Sequence, residues 1–102
     1  MEGMPVKFRF LELYSEAENG EAWNYEIIDV MKNEYDDFKD DYGRNVLNYA
    51  LIEMAASGFI RALDMKEDVE GIFRKGSILT LYRITNIGLE QLDDLKKGLK
   101  PR

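Results

Sequence analysis

A chain of 102 residues, 45% of them apolar, is long enough for one domain with one core and too apolar to stay disordered. It has no cysteine and no histidine, which excludes disulfides, thiolate metal sites, the usual zinc ligand sets and histidine-based catalysis. The net charge of −6 opposes non-specific binding to polyanions, but the acidity is local. Residues 12–42 carry 2 lysines against 11 carboxylates, whereas residues 43–83 carry 6 cations against 5 carboxylates.

No apolar run reaches the roughly 18 residues of a membrane span, and the first residues lack the basic start and apolar core of a signal peptide. A single cytoplasmic domain over residues 1–102 is therefore expected, without a membrane.

The first helix is expected over about residues 5–18, with Pro5 at its first position and Val6, Phe10, Leu13 and Ala17 as one apolar stripe. Phe8 and Leu11 point largely the other way. Either other elements cover them or they belong to a dimer interface. Asn19 and Gly20 stop the helix. A second helix is expected over about residues 22–34, with Trp23, Ile27, Val30 and Met31 facing inward. Residues 33–43 read as an acidic loop that Phe38 and Tyr42 pin to the core. Its four aspartates lack the alternating ligands, central glycine and closing glutamate of a calcium loop, so no metal is expected.

The third helix is expected over about residues 44–57, with Leu47, Ala50, Leu51 and Met54 inward and Gly58 at its end. Its outer face carries Asn45, Asn48, Tyr49, Ile52, Glu53 and Ala56. Strands follow at about residues 59–65 and 78–84, joined by residues 66–77. Two pairings stay open: the two strands with each other across a long loop, or a tight turn at Gly76-Ser77 with an inner strand at residues 71–75, or both together as a wing with a tight tip. Thr85 suits the N-cap of a last helix over about residues 86–99, with Leu89, Leu92, Leu95 and Leu99 as its stripe. Gly88 falls near that face, where a bare Cα allows close packing. Lys96, Lys97 and Lys100 suit the negative end, and Pro101 ends the helix. The fold class is thus mainly α with a small antiparallel β-hairpin, α+β.

The stretch Tyr82, Arg83, Ile84, Thr85, Gly88, Leu92 resembles the Y-x-[LI]-T-x-x-G-x-x-x-L that closes the wing of PadR-like and MarR-like transcriptional regulators. Ala50, Leu51, Met54, Gly58, Phe59 and Ile60 resemble the passage from recognition helix to wing in the same families. Both point to a winged helix-turn-helix domain over roughly residues 4–99: three helices, a wing and a C-terminal helix.

The resemblance implies duplex DNA as partner, with the third helix in the major groove and the wing on the backbone. Carried over by position, Arg44, Asn45, Asn48 and Tyr49 are the candidate base readers. Arg74 and Lys75 at the wing, with Arg61 on the first strand, are candidate phosphate contacts. Arg44 is the one cation of that helix, so a DNA-binding form needs a homodimer in which weak half-sites add. Phe8, Leu11, Leu95 and Leu99 are the candidate dimer interface.

The alternative is an acidic winged-helix module that binds a protein and not DNA. The acidic stretch motivates it, together with Tyr25, Tyr35, Phe38, Tyr42, Tyr49 and Phe73, more aromatics than such a core needs. No cofactor and no catalytic residue is expected, because the carboxylates do not converge as a pair.

Overall fold

The computed structural model describes residues 6–99; Pro5, Lys100 and Pro101, expected to bound the outer helices, lie outside the described residues. Four helices and a three-stranded antiparallel sheet make a mixed α+β fold. In chain order they are α1 (Val6–Glu16), β1 (Glu21–Trp23), α2 (Asn24–Glu34), α3 (Asp41–Ala56), β2 (Ile60–Glu67), β3 (Ile78–Ile84) and α4 (Asn86–Leu99). The sheet runs β1-β3-β2, with β2 at one edge. No described helix is long and apolar enough to cross a membrane.

α1 lies at the centre of the molecule. Phe8, Phe10, Leu11 and Tyr14 are all almost fully buried, a set too wide for a single helix face. The reason is that α1 meets α2, α3, α4 and the sheet, so several sides are covered. Phe8 and Leu11 are therefore core residues, which removes them from the candidate dimer interface. Arg9 ties the outer side of α1 to α2, donating to Glu34 through Nε at 2.8 Å.

β1 is the element that the spacing of apolar residues does not reveal. Ala22 and Trp23 were expected in a helix, yet residues 21–23 extend and pair with β3, Ala22 opposite Tyr82 and Trp23 opposite Leu81. Helix α2 starts only at Asn24, and the Glu26 carboxylate accepts from the Trp23 N–H at 2.9 Å. This start turns Ile27, Ile28 and Met31 inward. Val30, expected inside, is instead 37% exposed, and Trp23 lies under the Lys66 ammonium, 4.6 Å from the ring centroid.

α3 begins three residues earlier than its apolar pattern suggests, because Asp40 caps it by accepting from the Gly43 N–H at 2.7 Å. Leu47, Leu51 and Met54 are buried as expected. At its end Gly58 takes φ +84°, and the Gly58 and Phe59 amides return to the Ala55 and Met54 carbonyls at 3.1 and 3.0 Å. This left-handed closure favours glycine and turns the chain straight into β2. The acidic connector is held by Phe38, which meets Tyr35 edge-on. Tyr42 does not pin it: 77% of that side chain is exposed.

Of the two strand pairings left open, β2 with β3 is realised, Ile60 opposite Ile84 and Glu67 opposite Ile78, with a bulge between Ala62 and Asp64. Residues 71–75 form no inner strand. Thr85 caps α4 as expected, accepting from the Gly88 N–H at 3.0 Å, and its hydroxyl also donates to the Gly58 carbonyl at 2.6 Å. The cap thereby joins the end of α3 to the start of α4.

Candidate nucleic-acid interface

The loop between β2 and β3 is built around a single carboxylate. Asp68 is 1% exposed and accepts from the backbone amides of Ile72, Phe73 and Arg74, each at 2.8 Å. Its own backbone closes the loop, donating to Ser77 and accepting from Gly76. The tip turns through Lys75 and Gly76, where the Ser77 amide donates back to the Arg74 carbonyl and Gly76 takes φ +88°. Burial pushes the Asp68 carboxyl up, but the Phe73, Ile72, Arg74 and Gly71 amides outweigh it and hold the group below the usual carboxylate range.

Loop stability should therefore be present above the ordinary carboxylate value of about 4 and be lost as pH falls through the lower folded value. Asp68→Asn turns one acceptor into an NH₂ donor facing other donors. Amide exchange at residues 72–74 should then accelerate about tenfold or more, while the core amides of α3 keep their protection. Unchanged exchange at those three amides would remove Asp68 from this role.

The loop rests on the first half of α3. The Phe73 ring is 8% exposed, and the Arg44 guanidinium lies over it at 5.0 Å from the centroid. Arg74 Nη2 donates to Asn45 Oδ1. Arg44 also pairs with Asp41 at 2.9 Å. Arg44, Asn45 and Arg74 therefore occupy one face, in which the loop and the helix are joined, and the exposed Lys75 follows Arg74 at the loop tip. Tyr49, 68% exposed, stands one turn further along α3 from Asn45.

Two sequence candidates lie elsewhere. Asn48 Oδ1 accepts from Asn24 Nδ2 at 3.1 Å, and Asn24 Oδ1 accepts from the Thr80 amide at 3.1 Å. Asn48 is thus part of a structural relay between α3, α2 and β3. Arg61 sits at the opposite end of β2 from the loop, as the Cα partner of Arg83. Six residues of strand, roughly 20 Å, separate it from that end.

Leu95 is half-buried on α4, and the side chain of Leu99 lies outside the described residues. Phe73, counted among surface aromatics from the sequence, belongs to the core, and Tyr25, Tyr35 and Phe38 are partly buried against it. Tyr42 and Tyr49 are the exposed members of that group. Sequence reasoning missed Asn24 and Asp68 altogether. The one available signal for Asp68 was a carboxylate just before a glycine-bounded turn.

Among the described residues, no group of three or more acidic side chains is placed to hold a metal ion. Compared with protein-family models, with curated proteins and with solved structures, the chain matches none.

Proposed function

We propose that this chain is a winged helix-turn-helix protein that binds duplex DNA as a homodimer and regulates transcription. The observation that carries the reading is the joined face of α3 and the β2–β3 loop, locked by Arg74 on Asn45 and by Arg44 over Phe73. The element order supports it: α2 and α3 follow one another through a short connector, and a β-hairpin succeeds α3 directly. In this reading α3 enters the major groove. Tyr49 and the free edge of Asn45 face base edges, and Arg74 and Lys75 reach phosphates. The prior contact between loop and helix lowers the ordering cost at binding.

Asp36 and Asp37 in the connector before α3, and Asp41 at its start, work against the phosphates. Each brings a like charge towards the phosphates, weakened but not abolished by the water around it. One protomer therefore binds weakly, and two half-sites about 34 Å apart add their contributions. A retardation assay with pooled genomic fragments at about 50 mM salt tests the proposal, because phosphate contacts are strongest at low salt. Retarded fragments that Arg74→Ala with Lys75→Ala releases are expected. A dimeric protein that retards nothing would overturn the reading.

A second reading, a module for a protein partner, rests on a different observation. Tyr42, Val46, Tyr49 and Ile52 expose an apolar stripe along α3 at steps of three and four residues. Such a stripe, bordered by Asp41 and Glu53, suits a basic apolar partner. A partner whose capture survives nuclease treatment and fails with Tyr49→Ala favours this reading over the first.

A further inference from the structure

The register of the hairpin places Arg61 of β2 directly opposite Arg83 of β3. Like charges at directly opposed positions destabilise a strand pair. Both side chains are exposed, and among the described residues neither takes part in an ion pair. Glu21 of β1 continues the same row, opposite Arg83, but is not ion-paired with it.

The two arginines border a cleft of about 290 Å³ that Ile84, Thr85 and Asn86 complete. No carboxylate lines it. Thr85 is committed, its hydroxyl to Gly58 and Gly88. The Asn86 and Ile87 amides open α4 and have no intrahelical acceptor, as holds for the first amides of any helix. The positive end of the helix dipole adds to the two guanidinium charges. Guanidinium forks present paired donors at the spacing of a phosphate's or a carboxylate's oxygens. Two full positive charges with a helix start match a dianion better than a singly charged carboxylate. The cleft volume is close to the lower end, about 300 Å³, of ordinary ligand sites, which leaves room for a phosphate with a small substituent.

The geometry points to a binding site for a phosphate dianion between Arg61 and Arg83, supplied by inorganic phosphate or by a small phosphomonoester. The site stands at the base of the hairpin, away from the joined α3 face, so it does not depend on the DNA reading. Binding an anion there relieves the arginine repulsion and stabilises the fold.

The test is an amide and arginine-Nε NMR titration of the full chain with inorganic phosphate and, separately, glycerol phosphate. Acetate and chloride at matched ionic strength serve as controls. Saturable shifts at Asn86, Ile87, Arg61 and Arg83 are expected with phosphate and absent with chloride. Arg83→Gln should weaken binding by about tenfold or more, with little change in melting temperature, because it removes the favourable charge opposite Glu21 along with the repulsion. Arg61→Gln should weaken binding likewise and, by removing the repulsion alone, should raise the melting temperature in phosphate-free buffer; the dispersion of either variant's spectrum reports its folding. Tighter binding of the ester assigns the site to a small phosphorylated molecule, and equal binding assigns it to free phosphate. Equal shifts with chloride, or undiminished binding in both folded variants, would overturn the site.

Discussion

Gly88→Ala is expected to lower the melting temperature by roughly 15 °C or more, the result of a loss of about 3 kcal/mol. A methyl at this position would run into the Phe59 carbonyl and would also lie 2.9 Å from Ile84 Cγ1. Neither neighbour can give way cheaply. The Phe59 carbonyl accepts from the Thr85 amide at 3.0 Å, so moving it breaks that bond and displaces the residue that caps α4. Ile84 is buried where β3 ends. The control is on the same helix. Gly98→Ala meets nothing within 4 Å and should be neutral or stabilising by about 0.5–1 kcal/mol, because alanine is the better helix former. Thermal unfolding of the two variants side by side separates contact from propensity. Equal melting temperatures would mean that α4 does not approach the α3–β2 turn as described.

Asn24→Ala carries the second large effect. β1 stops at Trp23, so the Thr80 amide, next along β3 after the residue paired with Trp23, finds no strand on the β1 side to donate to, β2 lying on the other side. The Asn24 side-chain carbonyl takes that amide, and the same side chain donates to Asn48. Asn24 is 2% exposed, so water cannot replace either bond without opening the core. Truncation leaves two polar groups short of partners, and a cost of about 3 kcal/mol follows. Asn33→Ala, at an exposed position of the same helix, should change stability by no more than about 0.5 kcal/mol. Chemical denaturation of both variants is the measurement. If Asn24→Ala matched Asn33→Ala, the relay from α3 through α2 to β3 would contribute nothing.

These two residues also show what could be read from the chain alone. Gly88 was legible: a glycine on the apolar side of a helix that follows a capping threonine implies a close approach, and Phe59 and Ile84 are what it approaches. The inner face of α3 was legible in the same way, since Leu47, Leu51 and Met54 recur at helical spacing. The α4 stripe was legible only in part: Leu92 is buried and Leu95 half-buried, but Leu89, expected inside, is 45% exposed. Asn24 was not. An asparagine at a helix start looks like a solvated polar residue until the strand it serves is known. That strand, β1, is three residues long and too short to show an alternation.

The central helix misled for a related reason. Phe8 and Leu11 looked surplus because one face was assumed to be the buried one, whereas α1 is covered from several directions. At the candidate interface, residue types suggested contacts to an outside partner. Yet Asn45 and Arg74 meet each other, Arg44 covers Phe73, and Asn48 serves the relay. Pairings between α3 and residues nearly thirty positions downstream leave no periodic trace.

The direct test of the joined α3 and loop face is the salt dependence of DNA affinity for the wild type and Lys75→Ala. Each phosphate contact contributes about 0.9 to the slope of log K against log salt concentration on duplex DNA. The account predicts a slope shallower by about one per protomer in Lys75→Ala, with affinity reduced to a similar extent on every sequence. A binding curve whose slope Lys75→Ala leaves unchanged would contradict it, because the loop tip would then lie off the nucleic acid.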